Sequence, residues 1–242
     1  MKAEKIKYPM GSLTAEGTLV YEEKFSGKRP AVLMAPNWMG MTDAAIERAK
    51  LVAGDRYVVF VADMYGEGSR PADFGEAAKV ANPLRENAAE QRKRIRAAYD
   101  AMIAEAAKRN LIDGRRAAVG FCFGGGNVLE LARDGADIAA AVSIHGDLKT
   151  AQAAKKGAVK AALLVTHGAP DPVAPKADRD AFESEMEAAG ARWQMLTFSG
   201  VYHAYTDQGS DVPGVAGWHE PACRQTYTLT HQFIADAFAG RL

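Results

Sequence analysis

Apolar residues in this chain gather in short, nearly unbroken runs, separated by longer stretches where they recur at helical spacing. The runs are Ala31–Ala35 (AVLMA), Tyr57–Ala62 (YVVFVA), Ala117–Phe121 (AAVGF), Ile138–Ser143 (IAAAVS) and Ala161–Thr166 (AALLVT). A strand that is apolar on both faces suits a parallel sheet covered by helices. Between the runs, Asp43–Ala53, Leu84–Lys108, Gly125–Arg133, Lys176–Ala189 and Pro221–Ala239 predict helices. Glu4–Tyr8 and Leu13–Tyr21, broken at Gly11-Ser12, predict an antiparallel pair, and Gln194–Phe198 predicts a last strand. Strand alternating with helix points to the α/β class, with a mostly parallel central sheet flanked by helices. No repeat, low-complexity tract or linker interrupts the pattern, so residues 1–242 are expected to form a single domain.

Composition narrows the function classes. Thirty Lys and Arg balance thirty Asp and Glu, so nothing points to nucleic acid or an anionic membrane surface as a partner. No apolar run approaches the roughly 20 residues that span a bilayer, and Met1–Lys7 is too charged for a signal peptide core. Two cysteines, Cys122 and Cys223, make no disulfide framework, and a reducing cytoplasm is the expected location.

In open α/β sheets, function gathers at the carboxyl ends of the strands. After AAVGF comes Gly120-Phe121-Cys122-Phe123-Gly124-Gly125-Gly126, a Gly-x-Cys-x-Gly pattern between a predicted strand and a predicted helix. A nucleophile elbow needs small residues two before and two after the nucleophile because the turn is sharp and strained. The following helix N-terminus favours a thiolate there. A buried structural thiol is the plain alternative for Cys122, and it is the preferred reading for Cys223, which has no glycine frame.

A thiol of ordinary pKa (about 8.5) needs a base or a positive field to act at neutral pH. His203 follows the predicted last strand, and Asp171 follows the AALLVT run in a loop stiffened by Pro170 and Pro172. Such a carboxylate can orient an imidazole and stabilise its cation. Singly, each is an ordinary loop residue; together, each after a strand, they predict a Cys122, His203 and Asp171 catalytic set. Developing negative charge on a reacting acyl group needs two donors. The expected donors are the backbone N–H groups of Phe123, just after the nucleophile, and of Trp38 in the Pro36–Gly40 loop. His145 is expected at the pocket mouth, His167 in a supporting role beside the acid loop, and His231 on a helix. His219-Glu220 starts like a zinc motif, but Cys223 stands where it needs histidine, so no metal site is expected.

The segments GFCFGG around Cys122, HGAPDPVAP around Asp171, GVYHAY around His203 and Ala62-Asp63-Met64-Tyr65 resemble the dienelactone hydrolase family of α/β-hydrolases. The resemblance runs over nearly the whole chain, and Cys rather than Ser at the elbow is its specific part. It implies the α/β-hydrolase fold, no cofactor, a monomer or at most a homodimer, and opening of an ester or lactone through a thioester. Three positions depart from the family pattern. Asn37 stands where members acting on dienelactone carry a thiol-activating glutamate, and Glu67 and Asp207 stand where they carry carboxylate-binding arginines; Arg70 is close enough to Glu67 to substitute. A neutral ester or lactone is therefore the expected substrate, in a pocket walled by Trp38, Met39, Met64, Tyr65, Phe123 and Tyr202. Uncharged phosphotriesters are a further expected target. The competing readings are a dienelactone hydrolase proper, a binding module on a hydrolase scaffold, and a redox role for Cys122, which lacks a nearby resolving cysteine.

Overall fold

The computed structural model describes residues Met1–Leu242. In chain order the elements are β1 (Lys2–Met10), β2 (Leu13–Tyr21), β3 (Arg29–Ala35), α1 (Asp43–Ala53), β4 (Val58–Val61), α2 (Phe74–Arg85), α3 (Ala88–Lys108) and β5 (Ile112–Phe121). They continue with α4 (Phe123–Arg133), β6 (Ala140–Ile144), β7 (Ala162–Gly168), α5 (Lys176–Ala189), β8 (Arg192–Phe198), β9 (Asp211–Val212), β10 (Ala216–Gly217) and α6 (Glu220–Phe238). Eight strands form one sheet in the order β1-β2-β4-β3-β5-β6-β7-β8. The β1/β2 and β2/β4 pairs are antiparallel, and every pair from β4 to β8 is parallel.

The apolar runs behave as strands buried on both faces. On β3, Ala31, Leu33 and Ala35 enter one core layer while Val32 and Met34 enter the other. The first layer is closed by α2 to α5, through side chains such as Leu84, Ile95, Leu129 and Phe182. The second is closed by α1 and α6, through Ala49, Val52, Phe233 and Ile234. Helices on both faces leave the inner strands β3, β4, β6 and β7 no wet side, whereas the edge strands β1 and β8 alternate exposed with buried or half-buried positions.

The predicted helix Leu84–Lys108 is α3, which starts at Ala88; Leu84 and Arg85 end a separate helix, α2, that was not expected from the sequence. Asn87 leaves helical geometry and its Oδ1 accepts the Glu90 N–H at 3.0 Å, which caps a new helix. The preceding helix, α2, starts at Asp73, whose Oδ1 accepts the Glu76 N–H at 2.8 Å while Glu76 reaches back to the Ala72 N–H at 2.9 Å. The Asp-x-x-Glu spacing at 73–76 carries that start signal in the sequence. The short β9/β10 hairpin has no sequence expectation behind it.

β3 lies between β4 and β5, so the connections leaving β3 and β5 turn to opposite sides of the sheet. This switch point opens a crevice at the carboxyl ends of the strands, between the Pro36–Gly40 loop and Cys122.

Candidate active site

Cys122 sits between β5 and α4 with φ 53° and ψ −122°, a left-handed conformation costly for any residue with a Cβ. The flanking glycines explain how the turn closes. A Cβ on Gly120 would lie 2.0 Å from the Gly124 carbonyl oxygen, and one on Gly124 would lie 2.0 Å from that of Ala35. No side chain fits at either position, which is the physical content of the Gly-x-Cys-x-Gly spacing. The Cys122 N–H donates to the Ile144 carbonyl at 3.0 Å, anchoring the turn to β6.

Three of the predicted residues meet here. His203 Nε2 lies 3.1 Å from Cys122 Sγ, and its Nδ1 lies 2.9 Å from Asp171 Oδ2. All three are buried. The Asp171 loop and the His203 loop touch through backbone: a Cβ on Gly168 would lie 1.9 Å from the Val201 carbonyl oxygen. Asp171 Oδ1 accepts the Val173 N–H at 2.8 Å, and His167 Nδ1 is 3.4 Å from Asp171 Oδ2. The β9/β10 hairpin clamps His203 from the other side: its N–H donates to Val215 O at 3.1 Å, and its carbonyl accepts the Gly217 N–H at 3.0 Å.

Charge follows from this geometry. Burial opposes a proton on His203, but the Cys122 sulfur and the Asp171 carboxylate outweigh it and push the imidazole up to about 10. Burial likewise opposes charge on Asp171, yet the His167 and His203 imidazoles beside it hold the carboxyl well below its usual range. His145 is wholly buried behind His203, with ring centroids 5.1 Å apart. Burial, and next the neighbouring His203, push it down to about 3.

A cavity of about 820 Å³ opens over the thiol. Asn37, Trp38, Met39, Cys122, His203 and Asp207 line it. The Phe123 side chain packs beneath, under the stacked Tyr65 ring at 5.9 Å. The Trp38 and Phe123 amides donate to no other group in the chain. Several expected pocket residues lie elsewhere. Glu67 is on the surface and pairs with Lys7 of β1. Arg70 folds back onto the carbonyls of Gly66 and Ser69, at 3.0 and 2.8 Å. Met64 and Tyr65 are buried in the core, where the Tyr65 hydroxyl donates to Trp38 O at 2.8 Å. His145 is behind the site rather than at its mouth, and Tyr202 turns outward to solvent. In each case an extended or turning backbone sends neighbouring side chains to different sides, so closeness in sequence to the site does not decide direction.

Asp207 faces the cavity but is not a free charge. Its Oδ1 accepts from Arg48 at 2.7 Å, and its Oδ2 accepts from the Asn37 side chain at 3.1 Å. Burial opposes its charge, while Arg48 holds its carboxyl low. Asn37 Oδ1 in turn accepts the Met39 N–H at 3.1 Å, so Asp207 and Arg48 brace the loop that carries the Trp38 amide. The rim includes residues with no sequence expectation, among them Phe74 and Arg85 of α2 and Asp147 after β6. No group of three or more His, Cys, Asp and Glu side chains is arranged to hold a metal ion, and no helix is long and apolar enough to cross a membrane.

The family model described as the dienelactone hydrolase family matches residues 16–238. Among solved structures, one named m3DLH is 32% identical, covers 98% of each chain and has a TM-score of 0.90. A dienelactone hydrolase-like promiscuous phosphotriesterase from metagenomic libraries is 31% identical, again over 98% of both chains, with a TM-score of 0.89. A dienelactone hydrolase from Anabaena variabilis shares the fold at 16% identity, with a TM-score of 0.70 over 97% of each chain. None of the curated proteins matches the chain. A match over nearly the whole length, on this sheet and with a cysteine at this elbow, places the chain in the dienelactone hydrolase family of α/β-hydrolases.

Proposed function

We propose that the protein hydrolyses carboxylic esters or lactones by covalent catalysis at Cys122. The observation that carries this reading is the strained Cys122 turn with Sγ 3.1 Å from His203 Nε2, itself 2.9 Å from Asp171. His203 Nε2 takes the thiol proton, and the resulting thiolate sits at the N-terminus of α4, where the helix dipole favours negative charge. The thiolate attacks the acyl carbon, and the carbonyl electron pair moves to oxygen, facing the Trp38 and Phe123 amides. Collapse breaks the bond to the alcohol oxygen, which takes the His203 proton and leaves a thioester. In a lactone the released alcohol remains tethered to the acyl group. Neutral His203 then removes a proton from water, hydroxide attacks the thioester, and the thiolate and imidazolium are restored. Asp171 keeps the imidazole oriented and stabilises its cation throughout.

Neutral substrates fit this cavity best. Its arginine and lysine side chains both face carboxylates, Arg85 with Asp147 at 2.7 Å and Lys149 with Asp178 at 3.4 Å, so neither offers an uncompensated charge to an anionic substrate. That separates the protein from a hydrolase specialised for a carboxylated dienelactone. A second activity, on uncharged phosphotriesters, is favoured by the promiscuous phosphotriesterase 31% identical to the chain. The same thiolate would attack phosphorus and the same amides would face the charge growing on the phosphoryl oxygen.

Cys122→Ala tests the reading. It should abolish hydrolysis of neutral p-nitrophenyl esters, by about 10³-fold or more, with an unchanged circular dichroism spectrum. Wild type should form a covalent adduct with an electrophilic ester probe, and the variant none. Full activity in the variant, or no adduct in wild type, refutes a cysteine nucleophile; the latter is also the outcome for a binding module. Paraoxon that neither turns over nor inactivates refutes the phosphotriester activity.

A further inference from the structure

Arg85 is the last residue of α2, and it reaches the active site from the rim. Its Nε donates to Asp147 Oδ2 at 2.7 Å and its Nη1 to Asn82 Oδ1 at 2.9 Å, while Nη2 has no partner in the chain. The guanidinium lies over the Phe123 ring at 5.2 Å and over Trp38 at 5.8 Å, the two residues whose amides face the reacting oxygen in the mechanism above. Asp147 is itself fixed against the first turn of α4: a Cβ on Gly126 would lie 3.0 Å from the Asp147 Cβ. Burial opposes the guanidinium charge, but Asp147, and beyond it Cys122, raise its pKa, so the group stays cationic within electrostatic reach of the sulfur.

We infer that Arg85 and Asp147 together form the specificity determinant of this site, with Arg85 Nη2 donating to a neutral acceptor oxygen on the substrate. Such an oxygen belongs to a second ester, amide, ether or phosphoryl group a few bonds from the reacting carbonyl. Two features select the neutral acceptor. Nη2 is a free donor held in place by two bonds on the same planar group, so little freedom is lost when it binds. Asp147 cancels most of the field that a carboxylate would otherwise gain from the guanidinium. The apolar and aromatic side chains of the cavity, Trp38 and Phe74 stacked at 5.5 Å together with Val173 and Val215, suit the uncharged chain that links the two groups.

This inference rests on the proposed hydrolase activity, and the test separates the two. Three p-nitrophenyl esters of matched length would be compared: an unbranched alkanoate, the methyl ester of a dicarboxylate, and the corresponding free carboxylate. Wild type should favour the methyl ester over the alkanoate by about fivefold or more in kcat/KM, as one charge-assisted hydrogen bond allows. Arg85→Met should bring that ratio to about one. Asp147→Asn leaves the guanidinium uncompensated and should raise the carboxylate relative to the methyl ester by about tenfold. General damage to the site would lower all three substrates together and leave the ratios unchanged. Unchanged ratios in Arg85→Met, or no gain for the carboxylate in Asp147→Asn, overturn the specificity role while Cys122-dependent turnover persists. Absence of any Cys122-dependent turnover in wild type overturns the hydrolase reading and this inference with it.

Discussion

At the floor of the cavity, Cys122, His203 and Asp171 are buried on loops whose backbones touch, with Gly124 against Ala35 and Gly168 against Val201. At the rim, Trp38, Phe74, Arg85 and Asp147 are half-buried or exposed, and ion pairs and ring contacts hold them. The floor is rigid because backbone contact leaves no room for an alternative, and interiors transmit such constraints without slack. The rim is less confined: its side chains are set by pairing with one another, as Arg85 is with Asp147 and Asn82, and such pairs can be exchanged without disturbing the backbone beneath. Chemistry that needs sub-ångström placement therefore sits on the floor, and choice of substrate on the rim.

The largest effects are expected at the floor. His203→Ala should lower kcat by about 10³-fold or more, and Asp171→Asn somewhat less, because the members of such a set act as a unit. The pH–rate profile sharpens the point. With His203 pushed up to about 10, kcat/KM should fall on the alkaline side as pH rises through that value and the imidazolium is lost. Asp171→Asn removes one of the two groups that hold the proton, so the fall should move to lower pH. The same proton contributes to stability fully below the ordinary imidazole value of 6.5, and that contribution is lost as pH climbs through about 10. A fall that stays in place in Asp171→Asn would show that Asp171 does not hold the imidazole.

An intermediate effect is expected where floor and rim join. Asp207→Ala strands Arg48 and releases Asn37 from its acceptor, at a cost of about 2 kcal/mol in stability for bonds to a charged group. Denaturant unfolding measures that loss. Looser placement of the Trp38 amide should lower kcat several-fold, up to about tenfold, with KM moving less. A change confined to KM would mean that the Asp207 network does not position the loop.

The smallest effect is expected outside the cavity. Glu67→Arg exchanges a surface partner of Lys7, and the ratio of kcat/KM for neutral and carboxylated esters should change by less than about twofold. A larger shift would bring Glu67 into the substrate's field and reopen the reading that it repels anions directly.

The sequence by itself carried the strand-and-helix alternation that builds the sheet and the placement of Cys122, Asp171 and His203 just past strand ends. Each of those features is written in local order: an apolar run long enough to be a buried strand, a pair of glycines flanking a cysteine, an acid or a histidine just past a strand end. A parallel sheet brings its carboxyl ends together whatever the loops contain, so residues there meet once the strands are recognised. The rim depended on tertiary structure. Arg85 and Asp147 are 62 residues apart, and Arg48 and Asp207 are 159 apart; neither pairing follows from a local pattern. Glu67 lies in a stretch next to the site, yet its direction was decided by Lys7 on the antiparallel edge hairpin. The helix expected over 84–108 starts at Ala88 because Asn87 caps a backbone N–H there, and the residues before it end the unexpected helix α2, whose Phe74 and Arg85 line the cavity. Local pattern fixes which residues reach a strand end, whereas the direction and pairing of half-exposed side chains depend on how separately formed elements dock, a matter of a few kcal/mol that no window of sequence contains.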